Sequence, residues 1–143
     1  MKMLLANLEL FLRLAALAQL GVALLNLFLV RIMKWERDLD CAPLLVREVF
    51  QIHIYFISIT LAIFGALTWR FAGELATAAH PLCVWLAIGI GAFWAVRSVM
   101  QWSHYSAVHW HGDRVRTAIH WLLFLGYGAF AAVYFTAAGR VLH

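Results

Sequence analysis

The chain reads as an all-α integral membrane protein with four transmembrane helices in an up-down antiparallel bundle. Three observations lead there. Apolar residues fill 65% of the 143 positions and charged residues only 13%, too little polar surface for a soluble domain of this size. The apolar residues gather into four runs, each long enough to cross a bilayer as a helix. The connections between the runs are short, which favours antiparallel neighbours. One four-span membrane domain over residues 1–143 is expected, with no separate soluble module.

Span one is placed at residues 14–30, between Arg13 and Arg31. Its seventeen residues reach about 25 Å, sufficient if the flanking charges snorkel. The preceding segment carries Glu9 and Arg13 at i,i+4, and either extends the helix or lies at the interface. A cleaved leader is disfavoured: no small-x-small site follows the run, and the basic segment Arg31-Ile-Met-Lys34 does. Spans two, three and four are placed at 49–69, 82–102 and 117–137. Pro43 and Pro81 stand just before spans, where a missing N–H costs little.

Loop one–two carries Arg31, Lys34, Arg37 and Arg47, and loop three–four carries Arg114 and Arg116. The opposite side holds only Lys2, Arg70 and Arg140, with Arg13 close to it. The excess puts both of these loops in the cytoplasm and both termini on the non-cytoplasmic side, as in a bacterial inner membrane. Trp35, Trp69, Trp102, Trp110 and Trp121 fall near span ends, as an aromatic belt does. The net charge of +4 is spread singly along the chain rather than in a basic stripe interleaved with aromatics, so no nucleic-acid partner is expected. The expected partners are the lipid bilayer and either other membrane subunits or a second copy of the chain. The two cysteines, Cys41 and Cys83, fall near opposite faces and form no CxxC pair, against both a disulfide and thiol redox chemistry.

Polar residues inside the spans are costly and mark where to look for function. Gln19 and Asn26, seven apart on span one, should point inward and hydrogen-bond between helices. Gly65, Gly89, Gly91, Gly126 and Gly128 read as sites of close helix approach. Five histidines, His53, His104, His109, His111 and His120, fall near the face assigned to the cytoplasm. His53 on span two and His120 on span four should be level with each other. Arg97 and Gln101, at i,i+4 on span three, reach the same depth. His120, Tyr127 and Tyr134 repeat every seven residues along one face of span four.

Two neutral imidazoles can ligate a haem b axially, and the fork of Arg97 can pair a propionate. His53, His120, Arg97, Gln101 and Tyr127 are therefore the candidate cofactor residues. The same pocket, through Gln101 and Tyr127, suits a quinone headgroup. A four-span bundle with haem between its helices resembles the general arrangement of small cytochrome-b-type anchor subunits. That resemblance implies an electron-transfer membrane subunit. A second reading takes His104, His109, His111 and Asp113 as ligands for a transition metal at the rim, since imidazole and carboxylate suit non-haem sites. This run resembles the His-rich stretch of succinate dehydrogenase membrane anchors, but lacks the Arg and the order of that motif. The third reading is an accessory subunit of a larger membrane complex, with no cofactor. No HExxH, GxSxG, P-loop or GxGxxG is present, so protease, lipase and nucleotide-binding classes have no support.

Overall fold

A computed structural model describes residues 2–104 and 114–140. Those residues are almost wholly helical and contain no strand. Four helices are long and apolar enough to cross a membrane: α1 (Lys2–Leu27, apolar from Asn7), α4 (Leu44–Arg70), α6 (Pro81–Ser103) and α7 (Arg114–Gly139, apolar from Thr117). Three short helices lie between them: α2 (Leu29–Ile32), α3 (Glu36–Asp40) and α5 (Ala72–Thr77). The contacts divide the chain into two compact units, one of Arg13–Phe71 and one of Met1–Leu12 with Ala72–His143.

The first long helix takes the extended of the two readings of the segment before Leu14. It starts well before Leu14 and breaks at Phe28, so Arg13 lies inside it rather than at its edge. Charge alone marks Arg13 as a boundary. The structure instead carries its guanidinium over the indole of Trp69, 5.3 Å from the ring centre. A cation on an aromatic face loses less on leaving water than a bare one.

Within the Arg13–Phe71 unit, α1 and α4 run antiparallel. Arg13 meets Trp69, Ala16 and Leu20 meet Gly65, and Asn26 meets Ile54 and Ser58. The amide of Asn26 donates to the Ser58 hydroxyl (2.9 Å) and the Ile54 carbonyl (3.1 Å). Ser58 in turn donates to Ile54 (2.8 Å). This is the inward interhelical hydrogen bonding expected of Asn26. Gln19 is also fully buried, and donates to the Ala15 carbonyl of its own helix (3.2 Å). The buried stripe of α4 is Ser58, Leu61, Gly65 and Thr68, at the i, i+3, i+7 spacing of one helix face. Arg47 secures the end of α3, donating to the carbonyls of Leu39 (3.1 Å) and Asp40 (2.9 Å).

In the other unit α6 and α7 also form an antiparallel pair, with α5 packed on both. The turns that end α2 and α5 share one geometry. Trp35 N–H bonds to Val30 and Lys34 N–H to Arg31; Ala79 N–H bonds to Glu74 and Ala78 N–H to Leu75. These are Schellman closures, which place the residue after the cap in the left-handed region. Here those residues are Lys34 (φ 57°) and Ala78 (φ 49°), neither of them glycine. Left-handed backbone costs an L-residue roughly 1–2 kcal/mol, while glycine loses ~0.4–1 kcal/mol through its freer unfolded chain. Ala78→Gly is therefore expected to be stabilising, by up to about 1 kcal/mol, in thermal unfolding in detergent. A lower midpoint would contradict the strained turn.

Candidate functional site

One face of α6 and one face of α7 bring together the buried polar residues Ser98, Gln101 and His120. On α6 the buried residues are Ala87, Ile90, Gly91, Trp94, Ser98 and Gln101, a single stripe at helical spacing. On α7 they include His120, Tyr127, Ala131, Tyr134 and Ala137. The seven-residue repeat read from the sequence is thus the inward face of α7. The stripes meet in antiparallel register. Gly91 lies against Tyr134 and Phe135, Trp94 against Tyr127 and Phe130, and Gln101 against His120. The Ser98 hydroxyl donates across the pair to the Phe124 carbonyl (3.1 Å).

The polar end of this interface is built around Gln101 and His120. Gln101 is 2% exposed and His120 is 8% exposed. The Gln101 amide nitrogen lies 3.1 Å from His120 Nδ1, a contact whose donor is set by the imidazole tautomer. The other end of the same amide, Oε1, is buried without a hydrogen-bond partner. Leaving a buried acceptor unmade costs about 1–3 kcal/mol, so this atom calls for an explanation. His120 stands six residues into α7, and Gln101 two residues before the end of α6.

Arg97 lies one turn deeper than Gln101 on α6, and Tyr127 two turns deeper than His120 on α7. Arg97 is half-buried, and its guanidinium sits over the Tyr127 ring, 5.0 Å from the centre. The opposing Trp94 stacks on the same tyrosine, with centroids 5.2 Å apart and planes at 24°. Four of the five candidate cofactor residues, Arg97, Gln101, His120 and Tyr127, therefore gather at one end of the α6–α7 pair. The fifth, His53, belongs to the other unit. There it is exposed on a flank of α4 among Ile52, Tyr55 and Phe56, off the buried stripe that begins at Ser58. Thr60, expected on the same face as His53, donates to Phe56 of its own helix (2.9 Å).

Of the rim set, His104 caps the C-terminus of α6, exposed, with Nδ1 3.4 Å from the Ser103 hydroxyl. His109, His111 and Asp113 lie outside the described residues, as does Trp110. Among the described residues no three His, Cys, Asp or Glu side chains come together as metal ligands. Sequence reading missed Trp94 and Ser98. Trp94 is the largest fully buried side chain, at 1% exposed. Its sequence signal was its place: it stands in the middle of span three, far from the belt depth of the other tryptophans, and one helical repeat of seven before Gln101.

No protein-family model, curated protein or solved structure matches the chain. The chemistry available to the site therefore comes from its own side chains. It offers an amide with one end unpaired, an imidazole, a cation held on an aromatic face and two stacked rings. This set can hold a planar headgroup bearing carbonyl or hydroxyl oxygens.

Proposed function

We propose that the chain is a four-span integral membrane protein, an electron-transfer subunit whose α6–α7 pair binds the headgroup of a quinone. The observation that carries this reading is the buried, unpartnered Oε1 of Gln101 beside His120. A buried polar atom next to an imidazole, with Arg97 on Tyr127 and Trp94 further along the same helix interface, supports a small polar set able to orient a mostly apolar ligand. Oε1 is shielded, so a headgroup must displace the atoms that cover it. When bound, the quinone supplies two-electron, two-proton redox chemistry. The protein's part is to fix its oxygens through Gln101 and His120 and to pack its ring against apolar surface. The four apolar helices and the Lys/Arg bias support a bundle of four spans with the basic loops on the cytoplasmic side.

Haem b between two imidazoles has less support, because His53 is exposed and lies off the buried stripe of α4. Titration of the detergent-purified protein with a short-chain benzoquinone tests the reading through tryptophan fluorescence. Saturable quenching is expected in the wild type and loss of saturation in His120→Leu, provided that variant keeps its helical circular dichroism. Quenching that only rises linearly, as for partition into the micelle, would overturn the proposal. A Soret band that disappears in both His53→Ala and His120→Ala would replace it with haem.

A further inference from the structure

We infer that Gln101 and His120 act as a two-position hydrogen-bond relay, so that one site holds both the carbonyl and the hydroxyl form of its headgroup. This rests on the quinone reading above and names the binding rule within it. A carboxamide has a donor end and an acceptor end of nearly equal size. A neutral imidazole can place its proton on either nitrogen. The 3.1 Å contact between the Gln101 amide and His120 Nδ1 can therefore be satisfied in two ways. In one, the Gln101 NH2 donates to a bare Nδ1 and the unpartnered end of the amide is the acceptor Oε1, the arrangement in which that oxygen is buried without a partner. In the other, the amide is rotated by half a turn, Nδ1–H donates to Oε1, and the unpartnered end is the NH2 donor.

The two arrangements suit two ligands. An acceptor at the open end takes the O–H of a hydroquinone. A donor there takes the C=O of a quinone. Passing between them takes a proton off one ring nitrogen of His120 and adds one at the other, exchanged with solvent or with the arriving headgroup, so the protein shows no net gain or loss of a proton or an electron. The amide is well placed for this role. Gln101 is almost fully buried, so no solvent competes for its open end, and its inner end is already held by His120. A side chain with only acceptors would favour one redox form, and a lysine or arginine, with only donors, the other.

Gln101→Glu separates these outcomes, because an ionised carboxylate accepts at both ends and donates at neither. The probes are a short-chain benzoquinone and its hydroquinone, titrated anaerobically into the detergent-purified full chain. Wild-type affinities for the two forms are expected within about threefold of each other, and Gln101→Glu should weaken the quinone by about tenfold while leaving the hydroquinone within about threefold. Gln101→Met, with no donor and only a weak thioether acceptor, should weaken both. Equal weakening of both forms in Gln101→Glu, or wild-type binding of one form only, overturns the relay while leaving the headgroup site standing. Wild-type binding of neither form removes the site and the relay together. A readout independent of folding in the variants is the 15N shift of His120 Nδ1 in the wild type. It should report a bare nitrogen with hydroquinone bound and a protonated one with quinone bound. The same tautomer in both complexes overturns the relay.

Discussion

Replacing Trp94 with alanine is expected to remove about 3 kcal/mol from the stability of the α6–α7 pair, the low end of the ~3–5 kcal/mol typical for deleting a buried tryptophan. Trp94 is enclosed almost completely, stacks on Tyr127, and lies 4.7 Å from the Phe130 ring and 5.4 Å, edge-on, from that of Phe93. Alanine would leave a cavity lined by rings too rigid to collapse into it. On the proposed four-span reading the low end applies, because a helix pair separating within a bilayer moves Trp94 from protein to hydrocarbon, not to water. The transfer part of the loss is then small, and the missing dispersion contacts and the void dominate. Unfolding in a mixed-micelle denaturant series, followed by circular dichroism, measures the effect. A loss under about 1 kcal/mol would mean that this stack does not organise the pair. Tyr127 would also lose the partner that fixes its ring, and with it the platform under Arg97. Trp94→Ala is accordingly expected to weaken benzoquinone binding, although Trp94 is not one of the hydrogen-bonding residues.

The apolar runs made the long helices legible, because run length and composition are the properties that a membrane selects. Their ends were less legible where charge and helix part company. Arg13 reads as a terminus, yet its long stem and the face of Trp69 let it sit within α1. The site was legible along one helix at a time. The seven-residue repeat of His120, Tyr127 and Tyr134 identified the inner face of α7, and the i,i+4 pair Arg97 and Gln101 lies on the matching side of α6. The rotation of α4 about its axis was not legible. His53 shares a depth with His120 in sequence, but depth says nothing about rotation around the helix axis. The buried stripe of α4 runs through Ser58, Leu61, Gly65 and Thr68, leaving His53 off it. The glycines divide for the same reason. Gly65 and Gly91 stand where another chain segment presses close, while Gly89 and Gly126 have open space where a Cβ would go.

That division gives a second large expected effect, in the Arg13–Phe71 unit. A Cβ built on Gly65 would fall 2.8 Å from Leu20 Cγ, 2.9 Å from Leu20 Cδ2 and 3.0 Å from the Ala16 carbonyl oxygen. Leu20 can change rotamer, but the Ala16 oxygen is backbone and moves only if α1 and α4 part. Gly65→Leu is expected to cost about 1–3 kcal/mol by overpacking. Gly65→Ala should cost less, since alanine regains about 1 kcal/mol of helix propensity over glycine. Gly126→Ala, with nothing within 4 Å of its Cβ, should keep that propensity gain and raise the unfolding midpoint. Opposite signs for the two alanine variants, measured under one denaturant series, would show that the spacing of α1 and α4 is set at Gly65. Equal signs would contradict it. The strain should also be felt where Asn26 donates to Ser58 at 2.9 Å, about two turns along α4 from Gly65. A hydrogen bond between helices tolerates only tenths of an ångström of separation before it weakens. Asn26→Ala should therefore destabilise the Gly65→Leu protein less than the wild type, because the bond it deletes has already been loosened.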